Sequence, residues 1–129
     1  MTLSSPYAQT MGFTTERDAE GRLILLMDYA YDKMGRPGFL HGGAIAGMLE
    51  ATGYATLADT LGPEDPARIK PINVTVNFLR GGRDAVTRAR ATIERLGRRI
   101  ANLEVVAWQD NPETPIAIAQ MNLMLERSR

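Results

Sequence analysis

One segment of the chain, Gly42–Leu61, lacks the alternation of apolar and polar residues that runs through most of the sequence. The segment is rich in Ala, Leu, Met and Ile, and Gly62 and Pro63 follow it directly. An apolar run of this length that stops at Gly-Pro is typical of an α-helix. We therefore predict one long helix over these residues and strands elsewhere.

Alternating segments on both sides of this helix predict β-strands. From Ile72 to Phe78, apolar residues occupy the even positions and Asn or Thr the odd ones, as in a strand with one buried face. Near the N-terminus, the turn-forming stretch Asp18–Gly21 joins two such segments and predicts a hairpin. The predicted strands are Thr10–Arg17, Arg22–Asp28, Ile72–Phe78, Ala85–Glu94, Ile100–Trp108 and Ile116–Leu125.

Consecutive strands joined by short turns predict an antiparallel meander. The expected fold class is α+β, with one long central helix wrapped by an antiparallel sheet of five or six strands. No linker, repeat or low-complexity tract divides the sequence, so residues 1–129 are predicted to form a single domain.

Composition argues against several classes of function. Fifteen Lys and Arg residues balance fifteen Asp and Glu residues, so the chain lacks the positive charge that nucleic-acid binding needs. It has no cysteine and a single histidine, His41, which leaves few suitable ligands for zinc or iron. The N-terminal residues lack the basic and apolar regions of a signal peptide, so a cytoplasmic location is expected.

Small residues recur at every fourth position of the predicted helix, at Gly43, Gly47, Ala51 and Ala55. We predict that this stripe packs closely against the concave face of the sheet. The alternative is a membrane helix that dimerises through its small residues. Glu50, near the middle of the segment, argues against a membrane span, as do the neighbouring Gly and Thr residues.

Glu50 is the only charged residue between Pro37 and Ala58. An unpaired charge is costly to bury, so a lone carboxylate in an apolar helix needs a reason. One interpretation is a general base or a nucleophile. The other is structural, either a half-exposed glutamate at the edge of the helix or one paired with an arginine from the sheet.

His41, Gly42 and Gly43 lie where the helix is predicted to begin. The first N–H groups of a helix have no partner within the helix and carry the positive end of its dipole. Beside glycines, such groups can hold the oxygen of a ligand, including the oxyanion of an acyl-transfer intermediate. Alternatively, the glycines only form a tight turn and His41 only ties down the preceding loop.

The distance between these two features predicts a shared site. Gly43 and Glu50 are seven residues apart, so they share a helix face but lie roughly 10 Å apart along the axis. A carboxylate cannot easily reach a carbonyl group held at the start of its own helix over that distance. If both residues are catalytic, the helix start of one subunit meets Glu50 of another, at a homodimer interface.

Seven arginines fall between residues 80 and 99, near glycines at positions 81, 82 and 97. One interpretation is the solvated face of a sheet. The other is a site for a phosphorylated ligand, because the guanidinium group matches phosphate geometry and the glycines let a ligand approach the backbone. The candidates for such contacts are Arg80, Arg83 and the Arg95–Arg99 turn, and the remaining arginines of the group are Arg88 and Arg90.

Together, these features resemble the hotdog-fold acyl-CoA thioesterases, and among them the phenylacetyl-CoA thioesterase-like branch. The resemblance covers roughly residues 22–125, and its most specific part is Phe39–Glu50. In that family His-Gly-Gly opens the central helix, and the catalytic Asp or Glu follows nine residues after the histidine, which here is Glu50. The strand end Asn77–Gly82 and the turn Glu94–Arg99 are similar to segments around which family members bind coenzyme A.

The resemblance implies hydrolysis of an acyl-CoA at a dimer interface, without metal or cofactor, by a homodimer that can pair into a dimer of dimers. The implied acyl group is small or medium, with aryl groups included. Glu50 would activate water or attack the carbonyl carbon, the Gly42 N–H would hold the thioester oxygen, and His41 would shape the turn. The implied substrate-binding residues are Gly43, Tyr54, Arg80, Gly81, Arg83, Arg95, Gly97, Arg98 and Arg99.

Two positions depart from the family pattern. Relatives carry Asn or Gln six residues before the histidine, near the nucleophilic water, where this chain has Gly35. Pro71 stands where relatives carry a hydroxyl group on the strand after the helix. Gly35 favours a second hypothesis, a non-catalytic acyl-CoA-binding protein. A third hypothesis is an interaction module in which Glu50 is structural.

Overall fold

The structure of the protein, a computed structural model, describes residues 5–63 and 68–127. Two helices, α1 and α2, and six strands, β1 to β6, follow one another along this part of the chain, and a 3₁₀ turn at Tyr31–Lys33 lies between β2 and α2. The elements are α1 Pro6–Met11, β1 Thr14–Arg17, β2 Leu23–Met27, α2 Gly42–Leu61, β3 Arg68–Phe78, β4 Thr87–Leu96, β5 Ile100–Trp108 and β6 Ala117–Glu126.

All six strands form one antiparallel sheet in the order β1-β2-β4-β5-β6-β3, and α2 packs across it. This confirms the predicted α+β architecture, including the N-terminal hairpin of β1 and β2. Strands β4, β5 and β6 form the meander. Strand β3 does not join β4, which follows it in sequence, but lies at the far edge beside β6, where Phe78 is opposite Ala117 and Arg68 is opposite Glu126.

The predicted strand Thr10–Arg17 is wrong in its first part, because helix α1 extends to Met11. Ser5 caps this helix, and its side chain accepts a hydrogen bond from the Ala8 N–H at 3.1 Å. Gly12 ends the helix in the left-handed conformation, with φ of 70°. The capping residues thus favour a helix over the strand that the alternating pattern predicts for the first residues of this segment. Strand β1 is therefore only four residues long.

One face of α2 packs into the curve of the sheet and forms the centre of the core. Met48, Leu49 and Leu57 on this face are fully buried. At Gly53 the helix approaches β6 so closely that a Cβ atom would lie 2.5 Å from the sulfur of Met121. Among the helices of the described residues, none is long and apolar enough to cross a bilayer.

The prediction that the stripe of small residues packs on the sheet is wrong for most of the stripe. Gly43 is exposed, Gly47 and Ala51 are half-buried, and only Ala55 belongs to the buried face. Burial of the leucines and the methionine on the opposite face removes far more apolar surface from water than burial of glycine does. The larger side chains therefore face the sheet, and the part of the stripe from Gly43 to Ala51 lies on the outward side of the helix.

Strand β3 leaves apolar side chains exposed at the edge of the sheet. The alternation that predicts this strand has the correct phase, with Val74 and Val76 half-buried toward the core. Phe78, on the same face as these valines, is 55% exposed, and Ile72, at the irregularity in the pairing with β6, is 49% exposed. The strand has a neighbour on one side only, so its outer backbone groups and these two side chains remain open.

Candidate active site

His41 caps the start of helix α2. Its Nδ1 accepts a hydrogen bond from the Gly43 N–H at 2.8 Å, and its carbonyl oxygen accepts hydrogen bonds from the N–H groups of Ala44 and Ile45. A Cβ atom on Gly43 would lie 2.9 Å from Nδ1, so only glycine leaves room for this cap. The structural role of His41 is therefore that of an N-cap, whose side chain satisfies one of the free N–H groups of the helix.

The loop before α2 is held on both sides. The His41 N–H donates to the Lys33 carbonyl oxygen at 2.8 Å, and the Leu40 N–H donates to the Gly82 carbonyl oxygen at 2.9 Å. Gly35 lies directly against the histidine, because a Cβ atom on it would be 3.3 Å from the His41 Cα. The position at which the sequence departs from the family pattern is thus in contact with the helix start.

The Gly42 N–H is the donor that remains open at the helix start. Within the described part of the chain it has no hydrogen-bond acceptor, whereas the next N–H group, that of Gly43, donates to His41. The ring of Phe78 packs beside Gly42, with its Cζ 3.4 Å from where a Cβ atom would be. Gly42 lines a cavity of about 430 Å³ together with Gly35, Arg36, Phe39, Leu40, His41, Ile45, Phe78, Leu79, Arg80, Gly81 and Gly82.

Glu50 lines a second cavity, of about 610 Å³, on the outward face of the same helix. The residue is half-buried, and no hydrogen bond or ion pair to it is found within residues 5–63 and 68–127. Of the two structural alternatives for Glu50, pairing with an arginine from the sheet is therefore absent from this part of the chain, whereas a half-exposed position on the helix is what the structure shows. The walls of the cavity are Ser5, Tyr7, Gly43, Ala46, Gly47, Glu50, Ala51 and Tyr54.

Tyr54 lies one helical turn beyond Glu50 in the same cavity. Burial raises the pKa of its phenol, and the negative charge of Glu50 raises that pKa further. Tyr54 is therefore protonated at neutral pH and can donate a hydrogen bond into the cavity.

The predicted site residues at the start of α2 and along it line two neighbouring cavities. Gly43, Glu50 and Tyr54 share the larger cavity, while His41 and Gly42 line the smaller one. Because Gly42 and Gly43 are consecutive, the two cavities adjoin at the helix start. Arg80 and Gly81 also line the smaller cavity, which brings the first of the two predicted arginine segments to the helix start.

Arg36 and Phe39 complete this arginine cluster and were not among the predicted site residues. The guanidinium carbons of Arg36 and Arg83 lie 4.0 and 4.3 Å from the centre of the Phe39 ring, close enough for cation–π attraction. The ring itself packs on Gly81. In the sequence, the only indication of this cluster is weak: Phe39 begins the segment that resembles the thioesterase family.

The second predicted segment, the Arg95–Arg99 turn, lies elsewhere in the chain. It lines a separate cavity of about 470 Å³ at the end of the β4–β5 hairpin, where Ile100 pairs with Met124. Phe78, next to the first arginine cluster, pairs instead with Ala117, near the other end of β6. Because β6 has ten residues, the two ends are separated by roughly 30 Å. One chain therefore does not bring the two arginine segments together.

The remaining predictions concern Pro71 and metal binding. Pro71 lies in β3, next to an irregularity in the pairing with β6, and it lines none of the three cavities that contain the predicted site residues. Among the described residues, no group of three His, Cys, Asp or Glu side chains could hold a metal ion.

Comparison with known proteins identifies the family. Residues 31–124 match the model of a family described as the acyl-CoA thioesterase N-terminal domain. The match covers well over half of the chain and includes the whole of α2, with Glu50 and the glycines at the helix start. The chain belongs to this acyl-CoA thioesterase family. Its enzyme class is thioester hydrolase, and the predicted resemblance and hotdog fold are confirmed.

Several solved structures are similar to this thioesterase domain. A phenylacetic acid degradation-related protein from Ralstonia eutropha is 29% identical with a TM-score of 0.77, over 95% of this chain and 92% of that one. A thioesterase from Haemophilus influenzae is 22% identical with a TM-score of 0.84, over 96% and 85%. A Bacillus halodurans protein solved with coenzyme A is 17% identical with a TM-score of 0.83, over 100% and 83%. The last two show the fold alone, and no curated protein matches the chain.

The cap at the helix start generates a test of the role of His41. His41→Ala is expected to lower the free energy of unfolding by about 0.5–2 kcal/mol, because the Gly43 N–H loses its acceptor. His41→Asn is expected to restore stability, since asparagine is among the best N-cap residues. Denaturant unfolding of the three proteins measures the difference. A stable His41→Asn protein without turnover would contradict a role limited to capping.

Proposed function

We propose that this thioesterase hydrolyses small or medium acyl-CoAs, including aryl ones, with Glu50 as general base or nucleophile. The observation that carries the proposal is the setting of Glu50. Its carboxylate lies on the wall of a cavity made mostly of glycine, alanine and tyrosine, and it has no hydrogen-bond or ion-pair partner in the described residues. Such a carboxylate is free to take a proton from water or to attack a carbonyl carbon.

The Gly42 N–H is proposed as the group that holds the thioester oxygen. It lies at the positive end of the α2 dipole and has no acceptor among the described residues. A preorganised N–H group of this kind stabilises the negative charge that develops on a carbonyl oxygen when a nucleophile attacks. Gly43, whose N–H is taken by His41, supports this donor indirectly by leaving space for the cap.

The proposed chemistry uses these groups in a fixed order. In the general-base route, Glu50 removes a proton from water, and the water oxygen bonds to the thioester carbon. The resulting oxyanion accepts a hydrogen bond from the Gly42 N–H, and the phenol of Tyr54 helps orient the water. When the C–S bond breaks, coenzyme A leaves as a thiolate and takes the proton from Glu50. In the nucleophile route, a carboxylate oxygen of Glu50 bonds to the thioester carbon, the C–S bond breaks and coenzyme A leaves as a thiolate, which leaves an anhydride. Water then cleaves the anhydride to the free acid and the Glu50 carboxylate, and the proton that this releases goes to the thiolate.

A homodimer is proposed because one chain does not bring all of these groups together. Gly43 and Glu50 lie on the same helix, roughly 10 Å apart along its axis. A second copy can supply Glu50 to the helix start of the first, which supports a site shared between subunits. The open edge of β3, with exposed Ile72 and Phe78, offers a surface on which a second copy can pair. Such dimers can in turn pair into a dimer of dimers.

The shared site predicts the molecular mass in solution. Sedimentation at micromolar concentration is expected to give at least twice the mass of one chain, 14.2 kDa. Turnover is expected to fall with dimer content on dilution. A species that stays monomeric and still turns over acyl-CoA would refute the shared site.

Coenzyme A is proposed to bind through the arginine segments. Arg80 and Arg83, with Arg36, form a cluster that has no carboxylate partner within the described residues, and the Arg95–Arg99 turn forms another. Unpaired guanidinium groups suit phosphate oxygens, and coenzyme A carries phosphates at two separate places. Since the two segments lie far apart in one chain, the two subunits of the proposed dimer would each contribute one of them. The structure of the Bacillus halodurans protein, which contains coenzyme A, supports a related ligand here.

Substitution of these arginines is predicted to affect binding of the nucleotide more than the chemical step. Arg80→Ala and Arg98→Ala are each expected to raise KM for acyl-CoA about tenfold with little change in kcat, because phosphate contacts stabilise ground and transition states alike. An acyl-pantetheine substrate, which lacks the nucleotide, is expected to be hydrolysed as by the wild type. Steady-state kinetics on both substrates measure the effect.

Arg22→Ala provides the matched control, since Arg22 is paired with Asp18 on the β1–β2 turn. This variant is expected to keep the wild-type KM for both substrates. Equal loss with acyl-CoA and acyl-pantetheine in the Arg80 or Arg98 variants would show that these arginines are structural.

The size and lining of the larger cavity support a small or medium acyl group. Its volume, about 610 Å³, is in the range of ordinary small-molecule sites. Apart from Glu50 and Ser5, its walls are glycine, alanine and tyrosine. The tyrosines suit an aryl group, and the similarity to a phenylacetic acid degradation-related protein points the same way.

One observation keeps a second candidate open, a protein of this fold that binds acyl-CoA without cleaving it. Gly35 lines the smaller cavity and contacts His41, but it has no side chain that can hold a water molecule. Relatives carry an amide side chain at this position, so in this chain another group has to hold the nucleophilic water. Arg36, in the same cavity, or an ordered water is the substitute that the proposed hydrolysis needs.

Glu50→Gln is the decisive variant. Glutamine keeps the shape of the side chain but cannot accept a proton or form the anhydride. We expect kcat to fall by about 10²–10⁴-fold, with acyl-CoA affinity largely unchanged and the melting temperature equal or higher. Turnover and thermal unfolding are measured on the same preparation.

A structural glutamate gives the opposite result, a lower melting temperature with near-normal turnover per folded molecule. A wild-type protein that binds acyl-CoA but releases no thiol would favour the binding protein. In that case Gly35→Asn is the first variant to make, because it restores the amide that relatives carry.

A further inference from the structure

Tyr7 lies over the cavity that contains Glu50, although no part of the proposed chemistry uses it. It belongs to α1, which is anchored to the body of the protein by buried Ala8 on one side and by buried Phe13 after its end. The rings of Tyr7 and Phe13 meet edge to face, with centroids 6.0 Å apart. The tyrosine is 48% exposed, so its ring faces the open cavity while its base is held.

The Tyr7 side chain packs directly on Gly47 of α2. A Cβ atom on Gly47 would collide with the Tyr7 hydroxyl and lie 2.9 Å from the adjoining ring carbon. Glycine at this position therefore lets the aromatic ring approach the helix backbone. The outward stripe of small residues thus has a structural consequence, since it forms a groove in which Tyr7 sits.

The position of the Tyr7–Gly47 contact along α2 determines how much of the groove is open to a substrate. Gly47 lies four residues after Gly43 and three residues before Glu50, on the same face of α2. At 1.5 Å of rise per residue, Tyr7 covers the groove about 4.5 Å along the helix axis from Glu50, beside which the thioester carbon is proposed to react. Ala46 and Ala51 are the other groove residues beside it, and neither has a side chain large enough to limit the space.

We propose that Tyr7 is a specificity-determining residue that limits the length of the acyl group this thioesterase accepts. The inference rests on the proposed function, because it places the acyl group in the cavity that Glu50 lines. An acyl chain that starts at the thioester and follows the groove meets the phenol ring over Gly47. Short acyl groups end before the ring and aryl groups pack against it, whereas long alkyl chains collide with it.

The test is the dependence of kcat/KM on acyl length from butanoyl-CoA to dodecanoyl-CoA. Tyr7→Ala removes the ring and is expected to raise the ratio of dodecanoyl-CoA to butanoyl-CoA turnover by about tenfold or more, the scale set by a few methylene groups in an apolar pocket. Tyr7→Phe keeps the ring and is expected to retain the wild-type profile. Tyr7→Leu, which is shorter but still apolar against Phe13, is expected to shift the profile like Tyr7→Ala if the alanine variant does not fold.

Measurements of ligand binding distinguish a failure of this proposal from a failure of the proposed hydrolysis. Calorimetry with S-alkyl-CoA thioethers of the same lengths, which cannot be hydrolysed, is expected to show the same gain for long chains in Tyr7→Ala. A wild type that binds these thioethers without cleaving acyl-CoAs, and whose length limit Tyr7→Ala relaxes, supports the role of Tyr7 while the hydrolysis fails. Identical length profiles for wild type and Tyr7→Ala overturn the role of Tyr7, even when hydrolysis is demonstrated. No binding of any thioether by the wild type overturns both.

Discussion

Burial of one face of α2 against the curved sheet is the interaction on which the rest of the structure depends. Met48, Leu49 and Leu57 are fully enclosed there, and each contributes about 1.5–3 kcal/mol relative to an exposed side chain. Rotation of the helix would expose these residues and bring Glu50 toward the core, where an unpaired carboxylate is costly. Packing of the apolar face thereby fixes the direction in which the candidate catalytic residues point.

The helix start illustrates how a structural role and a proposed catalytic role can belong to adjacent residues. His41 satisfies the Gly43 N–H and so stabilises the first turn, which keeps the Gly42 N–H in a defined direction. The cap, the two glycines and the contact with Gly35 form one unit, because the loop is also tied to Lys33 through the backbone of His41. A donor held in this way needs little reorganisation when negative charge develops beside it.

The single chain also explains why a second copy is expected. Strand β3 has no neighbour on its outer side, and two of its apolar side chains remain exposed. The arginine cluster around Phe39 and the Arg95–Arg99 turn lie near opposite ends of β6. A second copy of the chain that paired with β3 would cover these exposed side chains. It would also contribute its own residues to the site. In the proposed homodimer, each chain supplies part of a site that two chains complete.

Local patterns in the sequence determined most elements of this protein, although the alternation did not predict helix α1, and only the tertiary structure decided how the elements meet. The bounds of α2, the phase of β3 and the position of Glu50 follow from residues that are close together in the chain, because helices and strands repeat over a few residues. The pairing of β3 with β6, the outward direction of the small stripe and the separation of the arginine segments do not. Neither does the packing of Tyr7 on Gly47, which brings together residues forty positions apart. These contacts depend on which surfaces bury the most apolar area in three dimensions, and no repeat of a few residues encodes that choice.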